Sequence, residues 1–468
     1  MAADSPNTSP TANKEDGYRG DDWPLMPDGT EWNGKDLVEL IRDGSSPFGN
    51  IWDVCILLEE VESQVQAHVV DIPRVHAGAN NYVRTVLAVL AIGTSYRRDV
   101  MARVARADVN MPDYDGFPLT WLHNQVEFEA AVYHLLEGSA GIPTSRLFYF
   151  RHPKQSSGPK TDLPRDISGR QLMLFDMSKG DAPSWRELNE SQKRSLLTQA
   201  ARSRAALLNK PLPAAFVATW LFWTSFQPVE WMPKTFPLPP AGNRDFCIAM
   251  LKAKVEGLIG NQGDRIGWEE DKLTVGPLAS AAKQSLLRLI PLILPEGDDD
   301  VLYRLVLQHD DFGLHNISVD VDEAGELSLT SVYDWETGCI IPVILTEIEF
   351  SIAGCDLIVD EKGEPSVHLR SVQERDPERR SKNQRCFADF LNVIYECAPY
   401  VKRVLHAGND GRRLWSTLKR WKGDSPEEFF GELGSWAEAR MSEMGADTPG
   451  AHQPVVTGQA GPKAEKTV

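Results

Sequence analysis

Two kinds of periodicity divide this sequence, and their order limits the folds that the chain can adopt. Runs of β-prone residues with turn residues between them extend from Tyr82 to Phe175, and apolar residues at helical spacing prevail after Ser184. Strands followed by helices are typical of α+β proteins, in which sheet and helices are segregated. The sequence therefore predicts an α+β fold with a small sheet-based N-terminal lobe and a larger, mainly helical C-terminal lobe.

The first part contains five segments that can be assigned individually. Tyr82–Ile92 and Tyr96–Arg106 are separated by a Gly-Thr-Ser turn, which predicts a β-hairpin. Apolar residues at helical spacing from Asn124 to Glu137 predict one helix. Further strands are predicted over 142–149 and 171–175, so that a single helix accompanies the small sheet.

Helical spacing also occurs before and after these segments. One or two helices are predicted between Lys35 and Val70, and longer ones over 281–294 and 386–444. The sequence Ser184-Trp-Arg-Glu187 is typical of a capping box at the start of a helix. These segments supply the helical content of the second lobe.

Changes in composition set the predicted boundaries. Residues 1–30 and 445–468 are polar and rich in Pro, Gly and Thr, which predicts disordered tails. Between them we predict a helical extension over 31–72, the N-terminal lobe with its connection to the second lobe over 73–178, and the C-terminal lobe over 179–444.

The acidic balance of the chain excludes several classes of partner. The formal net charge is −18, whereas nucleic acids and anionic membranes attract clustered Lys and Arg. No apolar run reaches the roughly 18 residues of a membrane span, and no targeting segment is apparent. The six cysteines lack CxxC spacing, so they are predicted to be reduced core thiols of a cytoplasmic protein.

One set of polar residues is typical of a catalytic site. His309, Asp311 and Asn316 follow the pattern His-x-Asp-x-x-x-x-Asn, and Asp334 comes at the end of a later β-prone run. The two β-prone runs between Asn316 and Asp334 flank a polar loop with one Gly, which predicts a hairpin. Because a hairpin returns the chain to its starting point, the side chains at its entry and exit can face one cation.

These residue types suit the transfer of a phosphoryl group from ATP. In this interpretation Asp311 accepts the proton of the attacking hydroxyl, while Asn316 and Asp334 ligate Mg²⁺. His309 is either a hydrogen-bonding support for the loop or a loop histidine without a chemical role. His315 is more typical of a polar turn residue than of a ligand, because Mg²⁺ prefers oxygen.

Two charged residues occupy positions where a charge is costly. Strand alternation places Arg103 on the same face as Met101 and Ala105, and helical spacing places Glu129 on the apolar stripe of its helix. Mutual pairing would remove the cost of burying each one alone, and it would leave the guanidinium able to reach nucleotide phosphates. The alternative is that both side chains lie at the edge of their stripes and extend to solvent.

The segment before the first predicted hairpin could approach phosphate through its backbone. Gly78 and Asn80 lie in this segment, which has one Gly in place of a full G-x-G-x-x-G pattern. A P-loop with Gly-Lys-Ser/Thr is absent from the sequence, which excludes that mode of holding ATP.

Taken together, these motifs resemble the aminoglycoside phosphotransferase and choline kinase-like family of small-molecule kinases, over roughly Arg74 to Phe350. The resemblance implies a protein kinase-like two-lobed fold, ATP and Mg²⁺ as cofactors, and a small hydroxylated metabolite as phosphoryl acceptor. It also implies that the backbone near Asp176 and Met177 binds adenine. Arg103 stands where many relatives have Lys, which keeps the charge and changes its geometry.

Two other functions stay open at the level of sequence. A catalytically weak kinase-fold protein that binds nucleotide or acts as a scaffold would explain the degenerate glycine loop. An acidic interaction module would bind no nucleotide at all. The sequence indicates neither the acceptor nor the oligomeric state, and Trp220, Trp223 and Trp231 could line an acceptor pocket or pack in the core.

Overall fold

The structure is a computed structural model of the 468-residue chain. It describes residues 23–49, 53–77, 81–89, 97–105, 119–154, 167–226, 236, 238–259, 272–297, 300–360, 363–370, 377–421, 423 and 425–445. The chain forms two compact units, the first from residues 1–225 and 304–406 and the second from 226–303 and 407–468. Strands and helices are both abundant in the described residues, and the predicted α+β class is confirmed.

Two helices precede the sheet, as predicted for the stretch between Lys35 and Val70. They are α1 (Leu37–Arg42) and α2 (Val54–Val65), and the side chain of Asp53 caps α2 by accepting a hydrogen bond from the backbone N–H of Cys55 at 2.8 Å. Trp23 stacks on Trp32 with ring centroids 5.5 Å apart. Trp23 is buried although it lies in the segment predicted as a tail, because two indole rings bury a large apolar area together.

A five-stranded antiparallel sheet in the order β1–β2–β3–β5–β4 follows these helices. Its strands are β1 (His68–Ala77), β2 (Asn81–Val89), β3 (Arg97–Ala105), β4 (Leu147–Arg151) and β5 (Leu172–Asp176). The hairpin of β2 and β3 is confirmed. The sequence did not indicate β1, whose register shifts twice between Val69 and Arg74, so that its side chains do not alternate between faces as in a regular strand.

Helix α3 (Leu119–Leu136) connects β3 to β4 and is the predicted single helix of the sheet-bearing part. Val126, Glu129, Tyr133 and Leu136 are all buried, which confirms the stripe that the sequence predicted. A glutamate is therefore held on the core-facing side of α3.

Helices make up most of the described chain after the sheet. They are α4 (Glu190–Asn209), α5 (Ala214–Ser225), α6 (Arg244–Leu258), α7 (Lys272–Ile293), α8 (Asp300–Tyr303), α9 (Pro377–Cys397), α10 (Tyr400–Ala407), α11 (Asn409–Arg420) and α12 (Pro426–Glu443). The helices predicted over 281–294 and 386–444 are confirmed. In the second unit α7 lies against α12 at Gly434, whose missing side chain lets the backbone approach Ala282.

The predicted capping box is five residues too early. Ser184 begins a turn, in which its carbonyl accepts a hydrogen bond from the backbone N–H of Glu187 at 3.0 Å. The capping box of α4 is formed by Asn189 and Gln192, each of which accepts a hydrogen bond from the backbone of the other. Ser184 precedes Glu187 by three residues, and Asn189 precedes Gln192 by the same spacing. Both pairs fit the capping-box pattern, so the sequence did not distinguish them.

In the part of the chain that the structure describes, seven short strands follow α8. They are β6 (Leu305–Gln308), β7 (Ile317–Val321), β8 (Leu327–Val332), β9 (Cys339–Pro342), β10 (Glu349–Ile352), β11 (Cys355–Val359) and β12 (Pro365–Leu369). β6 pairs with β9, and β7 with β8 as the predicted hairpin. β10, β11 and β12 form a three-stranded sheet that the sequence did not indicate.

The predictions for the cysteines and for membrane spans can both be compared with the structure. Cys247, Cys339 and Cys355 are buried as predicted, but Cys55 and Cys397 are exposed, so the six thiols are not all core residues. Within the described residues no single helix has the length and apolarity to cross a membrane; α4 and α5 together pass that test only as a pair bent by 109°.

Candidate active site

A buried ion pair between Arg103 on β3 and Glu129 on α3 forms the centre of the site. The guanidinium Nη2 contacts the Glu129 carboxylate at Oε2, and the side chain of Glu129 is fully buried. The predicted pairing is therefore confirmed. Arg103 Nε is buried without a hydrogen-bond partner among the described residues, so the guanidinium keeps an unused donor inside the site.

Burial shifts the pKa values of Arg103 and Glu129 in opposite directions. Burial lowers the pKa of Arg103, but the nearby carboxylates of Glu129 and Asp334 raise it by more, and the net pKa lies above its ordinary value. Burial raises the pKa of Glu129, and the adjacent guanidinium only partly opposes that rise. Arginine stays charged at any working pH. The guanidinium of Arg103 is therefore a permanent positive charge in the interior of the protein.

Arg103 also reaches the hairpin predicted to carry the metal ligands. Its Nη1 lies 3.3 Å from Oδ1 of Asp334, and its Nη2 donates to Sδ of Met173 at 3.0 Å. Asp334 directly follows Tyr333, whose N–H donates to the carbonyl of Asn316 at 3.0 Å. The cation on β3 is thus joined to the exit of the β7–β8 hairpin.

Asp334 has an unusual backbone conformation for a residue with a side chain. Its φ of 66° and ψ of 55° lie in the left-handed region, which favours glycine and tolerates Asp and Asn. Its N–H donates to the hydroxyl of Tyr133 at 3.2 Å. Burial, assisted by the Glu129 carboxylate, raises the pKa of Tyr133 well above its ordinary value. The tyrosine therefore stays a neutral support for the Asp334 backbone.

His309 connects the loop after β6 to the end of the hairpin. Its Nδ1 accepts the N–H of Asp311 at 3.2 Å, so Nε2 carries the proton and donates to the carbonyl of Tyr333 at 2.9 Å. The ring is buried and lies 4.6 Å from that of Trp335. Burial lowers its pKa, consistent with a neutral ring. Of the two alternatives for His309, the contacts favour the support of the Asp311 loop.

Asp311 is contacted by two neighbours from its own loop. Asn316 Nδ2 donates to Oδ2 of Asp311 at 3.2 Å and to its backbone carbonyl at 2.9 Å. His315 Nε2 lies 2.9 Å from Oδ1. The hydrogen bond from His315 is the largest of the effects that lower the pKa of Asp311. His315, taken from the sequence as a polar turn residue, is thus a direct partner of the predicted base.

Long-range packing fixes the position of this loop. Ser351 on β10 donates its N–H to the carbonyl of Phe312 at 3.0 Å. A Cβ on Gly313 would lie 2.5 Å from the Cβ of Ser351, so glycine permits that approach. Arg204 on α4 is buried and donates to the carbonyls of His309 and Glu347. No sequence signal marked Ser351 or Arg204, because both act through contacts distant in sequence.

The side chains of Asn316 and Asp334 carry oxygen atoms, which hard cations such as Mg²⁺ prefer as ligands. The Asn316 amide nitrogen donates to Asp311, which leaves its carbonyl oxygen as the atom able to bind a metal. Asp334 is 33% exposed and Arg103 contacts only its Oδ1. Mg²⁺ in phosphate sites is typically held by one or two protein oxygens, with water and phosphate completing the octahedron. No cluster of three or more His, Cys, Asp or Glu able to hold a metal occurs among the described residues.

The other predicted nucleotide contacts are less defined. Gly78 and Asn80 lie outside the described residues. Asp176 ends β5 and donates its N–H to the carbonyl of Arg146 at 2.9 Å, and Met177 donates to that of Asp99 at 3.1 Å. Both of these N–H groups therefore have protein acceptors, and the binding of adenine near Asp176 and Met177 stays a prediction.

The aromatic residues of α5 pack against α3. Trp223 is buried, and its ring and that of Trp220 each lie 5.7 Å from Phe128, the neighbour of Glu129. These contacts favour the core-packing alternative for Trp220 and Trp223. Trp231 lies outside the described residues.

The comparisons with known proteins gave similarity in structure alone. No family model and no curated protein matches the sequence. A candidate aminoglycoside phosphotransferase from Ralstonia eutropha is 11% identical, with 83% of this chain and 99% of that chain covered and a TM-score of 0.41. The corresponding values are 12%, 81%, 97% and 0.40 for ADP-bound aminoglycoside phosphotransferase APH(2'')-Ib, and 9%, 84%, 95% and 0.36 for amicoumacin kinase hAmiN in complex with AMP-PNP and Ca²⁺.

Proposed function

We propose that this protein transfers the γ-phosphoryl group of ATP to a hydroxyl group of a small molecule, in a Mg²⁺-dependent reaction. The observation that carries the proposal is the contact series Glu129–Arg103–Asp334. Through it Arg103 on β3 contacts Asp334 at the exit of the β7–β8 hairpin. At the entry of that hairpin, Asn316 contacts Asp311. A cation, two metal-binding oxygens and a carboxylate base are the groups that phosphoryl transfer needs in one place.

Arg103 would bind the nucleotide phosphates. Glu129 anchors one edge of the guanidinium, and the planar fork can present its remaining N–H groups to phosphate oxygens. Asn316 and Asp334 would hold Mg²⁺, which neutralises phosphate charge when bound. Because the charge of Arg103 does not titrate, its contribution to phosphate binding would be constant over the working range of pH.

Asp311 would orient the attacking hydroxyl and accept its proton. The hydrogen bond from His315 lowers the pKa of Asp311, so the carboxylate is ionised at neutral pH. A weakly basic carboxylate suits this reaction, since phosphoryl transfer depends more on positioning and charge stabilisation than on a strong base. The side chain is about half exposed, which leaves room for an acceptor.

The contacts of Asp311 also favour a second candidate function, a catalytically weak kinase-fold protein that binds nucleotide or acts as a scaffold. Both carboxylate oxygens have partners, Oδ1 with His315 and Oδ2 with Asn316. An acceptor hydroxyl would have to compete with one of them. If the hydroxyl displaced neither partner, the protein would bind nucleotide without transferring a phosphoryl group.

A product assay distinguishes the two functions. Wild type, Asp311→Asn and the control Asp320→Asn are incubated with ATP, Mg²⁺ and a panel of amino alcohols, sugars and aminoglycosides, and phosphorylated product is identified by mass spectrometry. Asp320 is a partly buried acid of the adjacent β7–β8 hairpin, so its variant controls for the loss of a charge. Transfer by wild type and Asp320→Asn, reduced by about 10²–10⁴-fold in Asp311→Asn, supports the enzyme. ATP binding with no product from any protein supports the second function.

A further inference from the structure

A cavity of about 370 Å³ lies between the segment that leads into α4 and the first turns of α9. Its wall contains Trp185 from that segment, Lys193 from α4, and Lys382, Asn383 and Cys386 from α9. None of the candidate active-site residues lines it. Its volume falls within the range of small-molecule sites, about 300–1,000 Å³.

The charge of this cavity opposes that of the chain as a whole. Four cations, Arg186, Lys193, Arg379 and Lys382, line it, although the protein has 67 acidic and 49 basic residues. Glu190 lies 3.3 Å from Nζ of Lys193 and 2.8 Å from Nζ of Lys382. One carboxylate therefore bridges two of the four cations that line the cavity.

The inner wall of the cavity is built from buried groups. Trp185 and Asn383 are 7% and 6% exposed. Nζ of Lys193 lies 5.5 Å from the centroid of the Trp185 ring, and the Lys193 side chain is only 17% exposed. An ammonium held against an indole and away from solvent interacts with an anion more strongly than a freely hydrated one.

We propose that this cavity binds a small organic anion that carries at least two phosphate or carboxylate charges. Arginine forks and lysine ammonium groups are the usual partners of such oxygens, and the ring of Trp185 would contact the carbon skeleton of the ligand. The site is independent of the proposed phosphoryl transfer, because none of its residues takes part in that reaction.

Cys386 supplies a readout confined to the cavity. Burial, with the nearby carboxylates of Asp389 and Glu190, raises the pKa of the Cys386 thiol, so alkylation is followed at alkaline pH. The full chain is labelled with iodoacetamide at constant ionic strength, in sodium chloride alone or with pyrophosphate or citrate added. Peptide mass spectrometry measures the rate at Cys386, and the exposed Cys55 and Cys397 serve as internal references.

Variants separate a built site from general ion binding. Lys193→Gln/Lys382→Gln removes two cavity charges, and Lys402→Gln makes the same change at an exposed lysine of α10. We expect pyrophosphate, citrate or both to slow labelling of Cys386 in wild type and Lys402→Gln. In the double variant the apparent affinity should fall by about tenfold or more, as expected for the loss of charge-assisted hydrogen bonds.

The two anions also identify the source of the ligand charge. Protection by pyrophosphate alone supports a phosphate ligand, and protection by citrate alone supports a polycarboxylate. No protection by either anion would overturn the proposal, and so would equal protection in the double variant. A negative result in the phosphoryl-transfer assay leaves this outcome unaffected, since the label reports on the cavity only.

Discussion

Replacing Glu129 with Leu is expected to destabilise the first unit, because Arg103 would keep a buried charge without its main partner. Glu129 is fully buried and Arg103 is 7% exposed, and removing one member of a buried pair costs about 3–5 kcal/mol. Asp334 stays 3.3 Å from Arg103 and is 33% exposed, so it offsets about 1 kcal/mol or less. The expected decrease in the free energy of unfolding is therefore about 2–4 kcal/mol.

A double-mutant cycle isolates the interaction between the two side chains. Arg103→Met combined with Glu129→Leu removes both charges, and apolar replacement of a whole buried pair is often neutral or stabilising. We expect a coupling energy on the order of 2–3 kcal/mol. Urea unfolding of the four proteins, followed by tryptophan fluorescence and circular dichroism, measures it.

An exposed pair of the same residue types provides the control. Arg146 and Glu137 lie 3.3 Å apart and their side chains are 59% and 48% exposed. The same substitutions there should give a coupling energy of about 1 kcal/mol or less. A coupling energy at Arg103 and Glu129 no larger than the control's would refute the reasoning from burial.

The single variant Arg103→Met adds a dependence on pH. Burial raises the pKa of Glu129 above its ordinary 4.5, and Arg103 opposes the rise, so the pKa should rise further without the guanidinium. A carboxyl group with a raised pKa holds its proton more tightly in the folded state. Its stabilising contribution is complete below pH 4.5 and is lost as the pH increases through the folded-state pKa. Urea unfolding should therefore find this variant least destabilised in acid, and a loss independent of pH would contradict the argument.

Two further predictions concern the Asp311 loop. Gly313→Ala would place a methyl group 2.5 Å from the Cβ of Ser351 and is expected to destabilise the protein by about 1–3 kcal/mol. Gly431→Ala, in a helix with open space, should instead stabilise by up to about 1 kcal/mol; equal effects in urea unfolding would exclude the packing argument. His315→Ala should raise the pKa of Asp311 toward 3.8, since the hydrogen bond from His315 is the largest cause of its lowering. A ¹³C NMR titration of the Asp311 carboxyl checks this, and an unchanged pKa would show that the contact is weak in solution.

The structure was predictable from the sequence where a local pattern creates an energetic problem with few solutions. Arg103 is a cation on an apolar strand face and Glu129 an acid on an apolar helix stripe, so mutual pairing was one of two solutions, the other being extension to solvent. The β7–β8 hairpin was predictable for a similar reason, since two β-prone runs around a polar loop pair with each other. In both cases the constraint can be read within one element or one turn.

The sequence did not indicate residues that act through contacts distant in the chain. The pairing of Gly313 with Ser351 depends on β10, a strand of four residues that has too few positions to give a period. Arg204 lies 105 positions before His309, to whose carbonyl it donates. His315 contacts Asp311 because the chain forms a 3₁₀ turn over Leu314–Asn316. Spacing alone does not report that turn.

The geometry around Arg103 suggests how the proposed function could assemble its site. Glu129 is fully buried and directly paired, whereas Asp334 is 33% exposed and holds the guanidinium through one oxygen at 3.3 Å. A phosphate that approached Arg103 would therefore replace Asp334 more readily than Glu129. Asp334 would then be released to bind a metal together with Asn316, because the hydrogen bond from Tyr333 to Asn316 keeps the two residues adjacent. Arg103 would in this way contact the nucleotide phosphate, and Asp334 would contact the metal bound to that phosphate.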